Sequence, residues 1–253
     1  MITDMARPEI IVTENAEALA ETAAEAIVAC AAEAVAARDR FMVALAGGLT
    51  PRATYERLAR PPRRDQLPWE RTWVFFGDER GVPPDHPDSN FRMASQALLL
   101  KVPVPARQIA RIRGEAEDPE TAAAEYGQRL AQVFETKRGQ LPRFDLILLG
   151  MGVDGHTGSL FPGSPVLKEV FRPVAAVHAA AASIPQRFTF TLPLINAAAR
   201  VMFLVSGAEK AKALKTVLKE PTCGLPAALV HPTDGRVIWL LDRAAAALIA
   251  GTS

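Results

Sequence analysis

Residues 144–150 read Phe-Asp-Leu-Ile-Leu-Leu-Gly, an apolar run closed by glycine, and similar runs recur at 41–46, 73–77, 200–206 and 236–241. A run such as 41–46 is too short for a core helix and ends in Gly47-Gly48, which marks a strand buried on both faces. Residues 10–12, 173–177 and 187–192 add three further strand-like stretches. Between them lie helical patterns. Residues 16–38 place Leu19, Ala23, Ile27, Cys30 and Ala34 on one stripe, with Asn15 as N-cap and Glu17 in the first turn. Helices are also expected from Thr50 (cap) and Pro51 to Leu58, over 90–100, from Asp118-Pro119 to about 137, over 208–219, and over 243–250 behind Asp242. Buried strands alternating with helices predict an α/β fold, a mostly parallel sheet with helices on both faces. The stretches 61–68 and 101–118 read as surface loops rather than boundaries, so one domain over 1–253 is expected.

The net charge of +1 leaves no global field to draw the chain onto nucleic acid or an anionic membrane, so any bound anion needs a local constellation. The N-terminal ten residues carry an early acid and no apolar core of a signal peptide, and no run approaches the ~18 apolar residues of a membrane span. Cys30 and Cys223 form no CxxC pair, and Cys30 falls on the helix stripe as a packing residue. A reducing cytoplasm is the expected location.

In a parallel sheet, ligands sit beyond the carboxyl ends of the strands. That rule singles out four loops. Gly47-Gly48-Leu49-Thr50-Pro51 joins a strand to a helix start, where backbone N–H groups can meet a phosphate; it also suits a plain tight turn, and it lacks the Gly-Lys-Ser/Thr of a nucleotide P-loop. Gly77-Asp78-Glu79-Arg80 closes the 73–77 run; its charges could simply be solvated, or could bring a carboxylate and a guanidinium to the same pocket. Ser206-Gly207-Ala208-Glu209-Lys210 sets a lysine near the strand ends, and Arg187, at a strand start, faces either that pocket or solvent.

The richest loop is 150–163, which holds a literal G-x-G-x-x-G at Gly150, Gly152 and Gly155. A dinucleotide site needs a long helix next and an acid about 20 residues on. The adjoining His-Thr-Gly-Ser-Leu-Phe-Pro-Gly is a poor helix, and 170–180 offers no acid. The stronger reading is Asp154-x-His156: an imidazole able to take a proton from water, beside a carboxylate that fixes its tautomer. No second His or Cys stands at ligand spacing, so no metal site is expected, and His86, His178 and His231 read as surface or structural residues.

These motifs, in this order, resemble the glucosamine-6-phosphate isomerase/6-phosphogluconolactonase family. The stretches concerned are 45–51, 75–91, 144–165, 187–198, 205–211, 225–232 and 239–242. The resemblance implies a Rossmann-like three-layer fold. It also implies hydrolysis of 6-phospho-D-glucono-1,5-lactone to 6-phospho-D-gluconate in the oxidative pentose phosphate pathway, without metal or organic cofactor. Carried over by position, His156 would be the general base with Asp154 as its neighbour, and Arg80 and Asp78 would join them in the catalytic set. Gly47, Gly48, Leu49, Thr50, Arg187 and Lys210 would hold the 6-phosphate. The deaminases of the family place a glutamate five residues after the histidine, where this chain has Phe161, and usually a tyrosine where it has Arg80. Leu49 replaces a common serine, which puts one hydroxyl contact in doubt. The expected partner is a phosphorylated sugar lactone, with no nucleic acid or membrane and with a monomer or small homo-oligomer as the assembly. A deaminase/isomerase and a non-catalytic sugar-phosphate sensor are the alternatives.

Overall fold

The computed structural model describes residues 8–180, 182–220 and 222–249. The larger of its two sheets has six strands: β1 (Glu9–Thr13), β2 (Phe41–Leu45), β3 (Thr72–Phe76), β5 (Leu146–Leu149), β8 (Arg200–Val205) and β9 (Arg236–Asp242). Their spatial order is β1-β9-β8-β5-β2-β3 and every pairing is parallel. β2 and β5 are buried at every position, which is why both read as continuous apolar runs. From β2 the chain steps outward to β3, then returns to place β5 on the other side of β2. That reversal opens a crevice beyond the carboxyl ends of β2 and β5, where α/β sheets hold their ligands.

Helices cover the sheet: α1 (Ala16–Arg38), α2 (Leu49–Leu58), α3 (Arg63–Gln66), α4 (Asn90–Ala94, continued by a π turn Ser95–Leu99), α5 (Pro119–Phe134), α6 (Leu192–Asn196) and α7 (Ala211–Lys219). α1 starts where Asn15 accepts from the Ala18 N–H at 2.9 Å and buries the expected stripe from Leu19 to Ala34. α5 is capped by Asp118, with Pro119 in its first turn.

Four expectations change. The polar segment after β3 contains a strand, β4 (Asp78–Arg80), which pairs with β7 (Gln186–Phe190) and through it with β6 (Val174–His178) in an antiparallel sheet of three. α2 begins two residues early, at Leu49, with Gly48 at the cap and no side-chain cap bond, so Thr50 is not the cap; Gly48 has φ +104°, which suits glycine. Residues 101–118 are no mere surface loop: Gln108 and Ile112 are buried, and the Ala110 N–H donates to Val74 O at 2.9 Å, covering the open edge of β3. The closing helix is a 3₁₀ turn at Ala245–Leu248, and its expected end at residue 250 lies outside the described residues, as do residues 1–7 of the N-terminal reading.

An aromatic cluster binds the layers. Phe144 meets Phe75 edge-on at 5.3 Å, Phe134 of α5 at 4.7 Å and Phe190 of β7 at 5.2 Å. Among the described residues, no helix is long and apolar enough to cross a membrane.

Candidate active site

Nine of the ten residues singled out from the sequence line one cleft of about 550 Å³ at the switch point: Gly47, Gly48, Leu49, Thr50, Asp78, Arg80, His156, Arg187 and Lys210. The tenth, Asp154, reaches the cleft through His156. Its Oδ1 lies 2.6 Å from His156 Nδ1 and also accepts the His156 backbone N–H at 3.1 Å. A carboxylate at Nδ1 fixes the proton there and leaves Nε2 as the accepting nitrogen. Burial pushes the Asp154 carboxyl upward, but the His156 N–H and the imidazole outweigh it, and the net shift is downward.

The loop around this pair is closed by its own backbone. Gly152 N donates to His156 O at 2.8 Å and Thr157 Oγ1 donates to Gly150 O at 2.8 Å. Gly152 has no room for a side chain: a Cβ there would stand 2.1 Å from His156 Nδ1 and 2.6 Å from Asp154 Oδ1. The glycines of the G-x-G-x-x-G thus serve a tight turn around the imidazole. The chain then passes through the 3₁₀ turn Pro165–Lys168 into β6, with no long helix to receive a dinucleotide. The Phe161 ring packs on His156 with centroids 4.8 Å apart.

The opposite wall is cationic. β4 and β7 place Arg80 and Arg187 directly across from each other. Neither belongs to an ion pair among the described residues; Arg187 Nε donates to Ile184 O at 2.6 Å and an Arg80 Nη donates to Asp88 O. Burial, followed by the Arg80 charge, holds the Arg187 guanidinium below its ordinary range. The Arg80 Nε is buried with no hydrogen-bond partner among the described residues. Two adjacent guanidiniums without a carboxylate partner are costly unless an anion joins them. Lys210 closes the 3₁₀ turn Ala208–Lys210 that precedes α7. The first N–H groups of α2, from Leu49 onward, have no partner in the helix and point out of its N-terminus. The Leu49 side chain is 82% exposed, so this residue offers the cleft its backbone.

Several supporting groups act through contacts that no motif reveals. Tyr55 sits inside α2, fully buried, and its hydroxyl bonds both N and O of Ala46 at 2.9 Å, pinning the start of the glycine turn. Glu79 is buried and accepts from Arg80 N, Asn90 N, Phe91 N and Ser89 Oγ, tying β4 to the first turn of α4. Asp242 accepts from Ser206 Oγ, Gly207 N and Ala245 N, bracing the loop that carries Lys210. The spacing of Asp242 before a helical pattern betrays its cap, but not its grip on residues 206–207. Asp78, whose sequence context suggests a catalytic carboxylate, has both oxygens engaged: Oδ2 accepts from Ser159 Oγ at 2.9 Å and Oδ1 from Asn90 Nδ2 at 3.1 Å. Ser159 itself is fully buried.

Fold and site together define a Rossmann-like α/β protein with a cleft lined by Arg80, Arg187 and Lys210 and a carboxylate–imidazole pair at its strand ends. The chain belongs to the glucosamine-6-phosphate isomerases/6-phosphogluconolactonase family, whose model matches residues 14–239. A 6-phosphogluconolactonase of Synechocystis sp. is 43% identical over 240 residues, covering 94% of this chain and 97% of that one. The 6-phosphogluconolactonase of Rattus norvegicus is 41% identical over 84% of this chain and 82% of its own. Among solved structures, 6-phosphogluconolactonase from Trypanosoma cruzi superposes with a TM-score of 0.87 at 29% identity, over 96% of this chain and 97% of that one. A monomeric glucosamine-6-phosphate deaminase does so at 0.79 and 25%, over 95% and 99%.

Proposed function

We propose that this chain hydrolyses 6-phospho-D-glucono-1,5-lactone to 6-phospho-D-gluconate, the lactone step of the oxidative pentose phosphate pathway. The observation that carries the reading is the 2.6 Å Asp154–His156 contact on one side of a cleft whose other charged groups are the cations Arg80, Arg187 and Lys210 and the carboxylates Asp78 and Glu209. The phosphate is held by the α2 N-terminus and Lys210, with the Arg80–Arg187 wall supplying further positive charge. His156 Nε2 takes a proton from a water as its oxygen bonds to C1 of the lactone. Charge gathers on the former carbonyl oxygen, where a guanidinium or backbone N–H meets it. The intermediate collapses, the C1–ring oxygen bond breaks, and the imidazolium returns its proton to that oxygen. Asp154 holds the ring and stabilises its charged form. The gluconate carboxyl then ionises, releasing one proton. One base and one oxyanion donor, each contributing roughly 3–4 kcal/mol, suffice for an ester that already hydrolyses in water.

Phe161 supports hydrolysis over amino-sugar ring opening. At the position where the family's deaminases place a glutamate, an aromatic ring rather than a second carboxylate packs on the imidazole. The 43% identity to a lactonase over nearly the full chain points the same way. The remaining assignments are one domain, a cytoplasmic location that suits two free thiols, and a monomer or small homo-oligomer. The decisive experiment is proton release on adding freshly prepared phosphorylated lactone, with spontaneous hydrolysis subtracted. Enzyme-dependent acid release with no ammonia from glucosamine 6-phosphate is the expected result. Ammonia without lactone turnover would overturn the reading.

A further inference from the structure

Asn90 opens α4 and is 2% exposed. Its backbone N–H donates to Glu79 Oε1 at 2.7 Å, and Ser89, just before it, donates to the same carboxylate while capping α4. Its main chain is thus fixed by a buried acid. Its carboxamide touches two functional loops. Nδ2 donates to Asp78 O at 3.0 Å and to Asp78 Oδ1 at 3.1 Å. Oδ1 and Cγ press on Gly47, where an added Cβ would stand only 2.0 and 2.5 Å away. Gly47 does not have a positive φ, so this contact, rather than backbone conformation, excludes a side chain. The other Asp78 oxygen accepts from Ser159 Oγ, three residues beyond His156. A chain of contacts therefore runs from the half-buried Gly47 through the buried Asn90 and Asp78 to Ser159.

We infer that Asn90 is a positioning residue that sets the phosphate turn at Gly47 against the loop bearing His156, with Asp78 as the link between them. The inference rests on the lactonase reading. A substrate anchored by its phosphate meets the base correctly only if these two loops keep their spacing, and a misplacement of about 1 Å can cost ~10²-fold in rate. Asp78 acts in the same way, through Ser159 and Asn90, and not as a base.

The test compares kcat, KM and competitive inhibition by inorganic phosphate. Asn90→Ala should lower kcat about 10–100-fold while KM and the phosphate inhibition constant stay within about twofold, because the anchor survives and its alignment does not. Gly47→Ala should weaken phosphate inhibition about tenfold by driving a methyl into the carboxamide. The double variant should be no worse than Asn90→Ala alone, since the obstructing group is gone. Asn90→Ser serves the same comparison if the alanine variant does not fold. Unchanged kcat, a phosphate constant that rises in step with the kcat loss, or additive effects in the double variant would each overturn the inference. If the native chain fails to hydrolyse the lactone, the functional reading falls. The clamp is then judged by calorimetric phosphate binding to the Gly47→Ala and double variants, where loss and relief support it and additivity defeats it.

Discussion

His156 enters the cleft with one ring nitrogen already bonded, and the base role proposed for it depends on that bond. His156→Ala should lower kcat by roughly 10²–10⁴-fold while inhibition by inorganic phosphate changes little, as measured by steady-state kinetics. Asp154→Asn keeps the size of the side chain but can present an amide donor to Nδ1. The tautomer is then no longer fixed, and kcat should fall about 10²-fold with KM nearly constant. The lowered pKa of Asp154 keeps its carboxylate ionised to lower pH than an ordinary aspartate, so its contact with His156 is lost only as pH falls through the lowered value. At this scale the sequence was most informative. Ten residues chosen from a few short strings converge on one cleft or on its imidazole. It was least informative for groups that act through contact. Nothing in the spacing of Asp78, Asn90 and Ser159 reveals that one carboxylate joins the other two, because that link depends on how β4 and the 150–163 loop come together.

Elements were legible where burial sets the pattern and obscure where pairing does. β2 and β5 announce themselves because every residue is buried. β4 does not: Asp78-Glu79-Arg80 has no apolar signature and is a strand only because β7 lies beside it. Glu79 makes that strand possible by accepting three backbone N–H groups and a hydroxyl, even though burial pushes its carboxyl above the ordinary range. Glu79→Gln turns one acceptor into a donor facing those groups. It should cost about 2–4 kcal/mol in urea unfolding. The turn before β6 offers a pH test. Glu169 accepts from the N–H groups of Phe171 and Arg172 and from the Arg172 guanidinium, and its pKa is held down at about 2 from an ordinary 4.5. A depressed carboxylate contributes its stability above pH 4.5 and loses it as pH falls toward 2. Glu169→Gln should therefore destabilise the protein at neutral pH by roughly 1–2 kcal/mol after solvent screening and flatten the acid slope across that window in thermal melts.

The whole molecule holds its cleft between two sheets joined through an aromatic cluster. Phe144, fully buried, touches Phe75 of the parallel sheet, Phe134 of α5 and Phe190 of the antiparallel sheet. Phe144→Ala should cost about 3–5 kcal/mol in denaturant unfolding, the range for deleting a buried aromatic ring. The sequence conveys alternating strands and helices but not the order β1-β9-β8-β5-β2-β3, since which strand returns beside β2 is decided by long-range packing. One residue carries the chain from the first sheet into the second. Gly77 donates to Leu45 O, the end of β2, and accepts from Phe190 N of β7. The His156 loop therefore hangs from the parallel sheet, while Arg80 and Arg187 ride on a second panel, fastened at this seam and again where Asp78 and Thr189 bond Ser159. In evolutionary terms the two are bound to change in step. A substitution in β4 or β7 that admits another anion, or a longer sugar, is felt at the imidazole through Ser159.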